Sequence, residues 1–189
     1  MRLSSGLTCL IATSLLLLSG CQTMPAGRPL PLNNPGFEEQ ATAENIPGWE
    51  IEQHVGPPGE VAYDVTMDSA GASFGSSQSL RLTRLTKQAY ALVHQTVPVP
   101  SDAAGKQLTF SARLKTRDVG PDGWLMTVTM NSADGRIGGV MSKPLTGTSG
   151  WQRVDLAVTV RPGTRSVDVG FLLLDSGTGW ADDASLTLP

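Results

Sequence analysis

The chain of 189 residues contains only two cysteines and two histidines. Zinc centres are built from clusters of Cys and His ligands, so the sequence excludes a site of that kind. The cysteines are Cys9 and Cys21, and both precede the part of the chain that has the composition of a folded domain. No pair remains there for a disulfide, so the fold must depend on its core alone.

Runs of basic residues are also absent, and the 14 basic side chains are outnumbered by 17 acidic ones. A mildly acidic chain without a basic run argues against nucleic acid as a partner. It equally offers no polybasic segment for anionic lipid. Aromatic residues make up 5% of the sequence, so few side chains are candidates for stacking on a ligand. From Asn33 onward, no segment has the pattern of an amphipathic helix.

The N-terminal segment contains a charged start, an apolar run over residues 7–18, and small residues before Cys21. This order is typical of a secretory signal, and the run is too short for a transmembrane helix, which needs about 20 apolar residues. Residues 18–21, Leu-Ser-Gly-Cys, resemble the lipobox of bacterial lipoproteins. The resemblance implies that residues 1–20 are removed and that Cys21 receives a diacylglyceryl group and an acyl chain such as palmitate. The alternative is an ordinary secretory signal with an incidental cysteine.

The lipoprotein resemblance also implies an address. In that family an Asp after the lipidated Cys favours the inner membrane, and this chain has Gln22 there, which favours the outer membrane. Several acyl chains, at about 0.8 kcal/mol per buried methylene, make a lasting membrane anchor. Prolines at 25, 29 and 31 predict a semi-extended tether over residues 21–32. Residues 33–189 are then predicted to form one domain.

Alternation of apolar and polar residues predicts strands throughout that domain. Gly, Pro, Asp and Ser clusters separate about eight to ten such segments, a spacing typical of a sandwich or barrel. Leu172 and Leu174 make one strand apolar on both sides, and Asp134-Gly135 predicts a tight type I′ hairpin. The alternating apolar positions are Leu80 and Leu82; Leu108, Phe110, Ala112 and Leu114; Trp124, Met126, Val128 and Met130; Val154, Leu156, Val158 and Val160; and Val167, Val169, Phe171 and Leu173.

Seven short motifs occur in an order that resembles a known family. They cover residues 34–38 (Asn-Pro-Gly-Phe-Glu), 46–49 (Ile-Pro-Gly-Trp), 75–82, 94–99, 108–116, 150–153 and 179–186. The order resembles the galactose-binding-like jelly roll of many carbohydrate-binding modules and of accessory domains on bacterial secreted enzymes. The resemblance implies an all-β jelly-roll β-sandwich over nearly the whole domain. Because this fold hosts many functions, it implies sugar binding less firmly.

The same resemblance implies a structural calcium site. In similar modules an acidic residue of the opening motif and an Asp of the closing pair meet at the ion, which here implies Glu38 and Asp182, with Asp183 as the alternative to Asp182. Calcium takes six to eight oxygen ligands, and carbonyls of the loop over residues 68–77 could complete the set. The alternative is that Asp182 accepts hydrogen bonds from backbone N–H groups and binds no metal.

Sugar rings stack on exposed aromatic side chains, and amides and acids bind their hydroxyls. By family position Trp49, Trp151 and Trp180 are framework residues, although packing in the core is the alternative for any single aromatic. The remaining candidates for ligand binding are of two types. The aromatic ones are Trp124, Tyr90 and Tyr63, and their polar companions are Asn131, Gln95 and His94.

Residues 71–75 fit the G-x-S-x-G pattern of a nucleophile elbow, with Ser73 at its centre. That motif requires a strand before the serine and a helix after it, whereas the sequence here predicts a turn into a strand. We therefore predict a non-catalytic envelope lipoprotein that binds glycan. The alternatives are a protein-interaction module that scaffolds an envelope complex and, more distantly, a hydrolase. A groove with an exposed aromatic residue would favour glycan binding. A broad apolar patch would favour a protein-interaction module, and a deep pocket with titrating groups of perturbed pKa would favour a hydrolase.

Overall fold

The computed structural model describes residues 27–42, 45–54, 56 and 60–189. In these ranges the chain forms ten strands and one short 3-10 turn at Ser101–Ala103. No helix among them has the length and apolar character needed to cross a membrane. The strands are β1 (Arg28–Leu30), β2 (Glu50–Gln53), β3 (Tyr63–Asp68), β4 (Ser79–Arg84), β5 (Ala91–Pro98), β6 (Gln107–Ser132), β7 (Gly135–Met141), β8 (Leu145–Thr159), β9 (Ser166–Leu173) and β10 (Thr178–Leu188).

The strands form two antiparallel sheets that share one strand. The front sheet has the order β2-β5-β9-β6-β7, and the back sheet has the order β3-β4-β10-β6-β8 with β1 beside the end of β10. Strand β6 is 26 residues long: its first half pairs in the back sheet and its second half in the front sheet. Register shifts between residues 114 and 124 mark the crossing. The predicted all-β sandwich is confirmed.

The core lies between the inner faces of the two sheets. Alternate residues of each strand point into it, as the pleat of a strand requires. Phe171 contacts the rings of Trp124, Phe37 and Phe110 with centroid distances of 5.6–6.1 Å, and so links both sheets. The predicted apolar alternation is confirmed on β4, β6 and β9, where every inward position is buried, and on β8, where only Val154 is half-exposed.

The predicted hairpin is formed, with Ser132 paired to Gly135, but the predicted type I′ turn was wrong. That turn needs a positive φ at both central residues, and neither Ala133 nor Asp134 has one. Gly135 has a φ of 119°, which a residue without a Cβ adopts at little cost. A bulge between Met130 and Asn131 precedes the turn. The hairpin joins β6 to β7 at the edge of the front sheet.

Strand β1 lies inside the segment that was predicted to be a tether. Arg28–Leu30 pairs with β10, and the Leu30 side chain is 5% exposed. The three prolines predicted an extended linker, but an extended chain also fits the edge of a sheet. Proline has no N–H to donate to a neighbouring strand, and an edge strand such as β1 tolerates this at Pro29. The folded domain therefore includes residues upstream of Asn33. Cys21 and the predicted signal peptide over residues 1–20 lie outside the described residues.

Candidate functional site

The outward face of the front sheet carries an open pocket of about 450 Å³, called here the front pocket. Its floor is formed by Leu92 on β5, Leu172 on β9, and Thr127 and Thr129 on β6. These residues alternate with buried positions on the same strands, so they point away from the core. Leu92 and Leu172 are direct cross-strand neighbours, which gives the floor an apolar half beside a hydroxyl half.

The rim of the front pocket includes Tyr90, Glu52 and Arg136. The Tyr90 hydroxyl donates a hydrogen bond to the Glu52 carboxylate. That bond, followed by burial, raises the pKa of Tyr90 above its usual range. The His54 ring lies 6.2 Å from the Tyr90 ring, and its Nδ1 is 2.9 Å from Gln88 Oε1. A half-exposed tyrosine thus stands beside an acid and near an amide.

Asn131 belongs to a polar cluster on the same sheet face. Its Nδ2 donates to Asp168 Oδ2 at 2.8 Å, and Thr96 Oγ1 donates to Asp168 Oδ1 at 2.7 Å. Asp168 lies opposite Thr129 of the pocket floor in the strand register. The cluster therefore extends the front pocket along the sheet with groups that can bind hydroxyls. His94 also points outward on this face, opposite Gly170.

Three predicted ligand-binding residues are instead part of the interior. Trp124 is fully buried and its Nε1 donates to the Trp180 carbonyl at 3.0 Å. Tyr63 is 1% exposed and its hydroxyl donates to the Gln88 carbonyl at 3.0 Å. Gln95 is also buried, and it exchanges two hydrogen bonds with the backbone of Asn33. Each occupies an inward position, so the prediction of ligand contact was wrong for all three.

Glu38 and Asp182, the predicted calcium ligands, bind the same loop over residues 68–77. Asp182 is fully buried; its Oδ2 accepts from the Ser73 N–H at 3.2 Å and its Oδ1 from the Asp183 N–H at 2.8 Å. Burial raises the pKa of Asp182, and the hydrogen bonds oppose this only in part. Glu38 Oε1 accepts from the Ser77 N–H at 3.0 Å. The backbone hydrogen bonds weighed as the alternative to calcium are therefore formed.

The two carboxylates still have oxygen lone pairs free, because each can accept about four hydrogen bonds. They fit a calcium ion only if backbone carbonyls supply most of the remaining oxygens. Within the described ranges, no group of three or more His, Cys, Asp or Glu side chains gathers at one point. Asp183 is exposed and lies 2.9 Å from Arg113 Nε in an ion pair, so Asp182 is the better placed of the two adjacent aspartates.

Ser73 does not form a nucleophile elbow. Its side chain is buried, and its Oγ donates to Asp183 Oδ2 at 3.0 Å. The Ser76 N–H donates to the Ser73 carbonyl at 3.1 Å, which closes a turn that leads into strand β4. The motif requires a helix at that point. The match to G-x-S-x-G is therefore a chance result of a Gly- and Ser-rich loop.

Sequence reasoning missed most of the front pocket. Glu52 comes from a strand of four residues, which is too short to show alternation, and Arg136 follows the hairpin turn. One signal was present: Leu172 and Leu174 make β9 apolar on its outward side, and both line the pocket. These two outward leucines give the pocket its apolar lining on the β9 side.

The chain matches no protein-family model, and no curated protein matches it in sequence. Solved structures do share its fold. The enzymatically active domain of tailspike protein 4 from bacteriophage CBA120 has a TM-score of 0.64 and 18% identity, over 84% of this chain and 22% of that chain. This chain therefore spans about a fifth of the tailspike chain. The cyclase Fisc from Fischerella sp. TAU has a TM-score of 0.63 and 12% identity, over 87% of this chain and 98% of the cyclase.

The carbohydrate-binding module TmCBM61, solved with β-1,4-galactotriose, is also similar. Its TM-score is 0.53 and its identity 17%, over 82% of this chain and 96% of the module. Identities this low show a common fold and nothing more specific. The domain is thus a jelly-roll sandwich of the kind found in carbohydrate-binding modules, which confirms the predicted fold class. Because a cyclase shares the fold, the function has to be argued from the site.

Proposed function

We propose that this protein is a non-catalytic glycan-binding protein and that the front pocket is its binding site. The observation that carries the proposal is Tyr90, a half-exposed ring held by Glu52 at the rim of a partly apolar pocket. A fixed aromatic ring can stack on the C–H face of a sugar with little loss of side-chain entropy. The Glu52 carboxylate and the Arg136 guanidinium can bind sugar hydroxyls beside it. The fold shared with TmCBM61 supports this reading.

The test is binding of β-1,4-galactotriose and of a glycan array by the purified protein. Tyr90→Ala should weaken binding by about tenfold or more, because one lost contact of about 1.4 kcal/mol has that effect. Tyr90→Phe keeps the ring and should weaken binding less. Phe74→Ala is the matched control, since Phe74 is 95% exposed and lies outside the pocket. Silence across the array, or a Tyr90→Ala protein that binds normally, would reject the proposal.

The proposal includes a membrane location. A lipid on Cys21 would hold the domain at the envelope, most simply at the outer membrane. Single sugar sites bind weakly, and confinement near envelope polysaccharide raises the effective concentration of the ligand without any new contact. A tethered domain with one modest pocket is therefore sufficient for stable association with glycan.

The proposal also retains a structural calcium ion at Glu38 and Asp182. The support is Asp182, a fully buried carboxylate whose partners among the described residues are hydrogen-bond donors rather than cations. A bound cation would offset the cost of burying that charge. Its role would be to hold the loop over residues 68–77 against β10. In this proposal the ion does not take part in glycan binding.

A further inference from the structure

The outward face of the back sheet carries a second pocket, on the side of the sandwich opposite the front pocket. It is open and has a volume of about 480 Å³. Lys115 and Arg117 of β6, Trp180 of β10, and Ser149 of β8 line it, together with Asp68 at the end of β3. We call it the back pocket. Its volume lies within the range of about 300–1,000 Å³ that is typical of small-ligand sites.

Two cations are held over one indole ring in the back pocket. Lys115 Nζ lies 4.6 Å from the Trp180 ring centroid and 5.9 Å from that of Trp151. Arg117 Cζ lies 5.4 Å from the Trp180 centroid. Trp180 is itself fixed, because its Nε1 donates to Asp68 Oδ2 at 2.8 Å. Cation–π contacts therefore position both charged groups before any ligand arrives.

Lys115 and Arg117 make no direct ion pair with Asp68, the acidic residue that shares their pocket. Among the described residues, neither Lys115 nor Arg117 forms an ion pair, whereas the other outward cations of the back sheet all do. Residues two apart on a strand point to the same side about 6.5–7 Å apart, so the two cations can flank one small anion. The paired cations are Arg81 with Asp64, Arg113 with Asp183, and Arg153 with Asp155.

We propose that the back pocket binds a uronic acid unit of a glycan, with its carboxylate between Lys115 and Arg117. A guanidinium matches a planar carboxylate in two parallel hydrogen bonds, and the ammonium adds a second charge. The Asp68 carboxylate lies at the same pocket and repels a dianion more strongly than a monoanion, which favours a carboxylate over a phosphate. Ser149, whose Oγ lies 2.9 Å from Thr116 Oγ1, offers a hydroxyl to the sugar ring.

This site is independent of the front pocket, because it lies on the other sheet and uses charge rather than a stacking ring. The probe is trigalacturonate, and the matched ligand is the same trisaccharide with its carboxyl groups methyl-esterified. Calorimetry on the purified protein should detect the acid form and not the ester. Raising the salt concentration to about 0.5 M should weaken binding, because exposed charges are then screened.

The decisive variant is Lys115→Ala/Arg117→Ala, which should weaken trigalacturonate binding by about tenfold or more. Arg113→Ala/Arg153→Ala is the control: it removes the same charge from the same sheet face and should change binding by less than about twofold. If the first variant does not fold, Lys115→Gln/Arg117→Gln keeps the aliphatic stems over Trp180 and serves in its place. Tyr90→Ala should leave trigalacturonate binding intact, although it should weaken binding of neutral glycan at the front pocket by about tenfold or more.

Three results would overturn the inference. The first is equal binding of the acid and the ester, and the second is an equal loss in both double variants, which would indicate only general charge attraction. The third is no binding of trigalacturonate at all. A protein that binds trigalacturonate but no neutral glycan would support the back pocket while rejecting the proposal for the front pocket, so the two failures are distinguishable.

Discussion

Asp68 acts on two parts of the molecule through one carboxylate. Its Oδ1 accepts from the N–H groups of Ala70 and Gly71 at 3.0 Å, and its Oδ2 accepts from Trp180 Nε1 at 2.8 Å. Burial acts to raise the pKa of Asp68, but these three hydrogen bonds and the charge of Arg81 together outweigh it, and the pKa is lowered. The ionised side chain therefore stabilises both the loop after β3 and the ring that carries Lys115.

A lowered pKa in the folded state predicts a particular dependence of stability on pH. Stability from Asp68 is fully present above the usual value of 3.8 and is lost as the pH falls through the lowered pKa. Asp68→Asn loses a charge-assisted hydrogen bond from Trp180. We therefore expect this variant to have a free energy of unfolding that is lower by about 2 kcal/mol at pH 7. The difference from the unmodified protein should shrink below about pH 4. Urea unfolding at several pH values measures it.

Asp134→Asn is the control for that experiment, because Asp134 lies exposed in the β6–β7 turn. It should change the unfolding free energy by less than about 0.5 kcal/mol at every pH. A gap between Asp68→Asn and the unmodified protein that stays constant down to pH 2 would show that the effect does not come from ionisation.

Glu38 and Asp182 lead to a prediction about calcium. If the ion binds only the folded form, calcium at about 100 times its Kd adds about 2.7 kcal/mol to the free energy of unfolding. We expect the melting temperature to rise with calcium and to fall with EDTA, and the rise should be absent in Asp182→Ala. Asp183→Ala should keep most of it. A melting temperature that responds to neither calcium nor EDTA would leave the two carboxylates with their backbone partners alone.

Strand β10 shows how a missing side chain makes room for a large one. Gly179 lies against the Trp124 ring so closely that an added Cβ would be 2.4 Å from its Cδ2. The indole is fully buried and bonded to the next carbonyl along β10, so it has nowhere to move. The same contact explains why Trp124 is a core residue of the front sheet and unable to reach a ligand.

Gly179→Ala should therefore destabilise the protein by about 1–3 kcal/mol, as expected for overpacking of a filled core. Gly150→Ala is the matched control, because no heavy atom lies within 4 Å of its added Cβ. That variant should be close to neutral. The melting temperatures of both variants at one pH test this prediction. Equal melting temperatures would show that the core around Trp124 can accommodate an added methyl group.

At the level of elements, periodicity was enough to predict which faces are buried. The inward rows of β6 and β9 follow directly from alternation, and parity already placed Trp124 with Met126 and Val128. What alternation cannot supply is register between distant strands. Glu52 reaches Tyr90 because β2 pairs with β5 in one particular register, which short strands do not encode in their own sequence. The front pocket could therefore not be assembled from sequence, although Tyr90 itself was predicted.

The alternation of apolar and polar residues also gave wrong or incomplete predictions where the polarity of a residue does not match its position on the strand. Gln95 is polar but lies on an inward position of β5, where the Asn33 backbone satisfies its amide. Lys115 and Arg117 were missed because outward cations on a strand usually mean only a solvated face. Their contact with Trp180 depends on pairing between β6 and β10, residues that are far apart in the chain. Long-range pairing therefore determines both candidate sites.

The whole molecule depends on its sandwich core and, as we propose, on a lipid for its location. Cys21→Ser should move the protein from the membrane fraction to the soluble fraction and abolish labelling with palmitate, because no other anchor is proposed. Cys9→Ser removes the other cysteine, within the predicted signal peptide, and should leave both properties unchanged. Fractionation and metabolic labelling test this directly. A Cys21→Ser protein that remains labelled and membrane-bound would exclude lipidation at this residue.

Strand β6 couples the stability of the front sheet to that of the back sheet. Because its two halves complete different sheets, the backbone hydrogen bonds of both layers form one continuous ladder. Separation of β6 from its neighbours therefore exposes amides of both layers, whereas the edge strands can still open locally. A ligand on either face opposes the same global opening, so occupancy of one face slows exchange of those amides in the other layer that exchange only by global unfolding. Binding at either pocket therefore stabilises the same folded state.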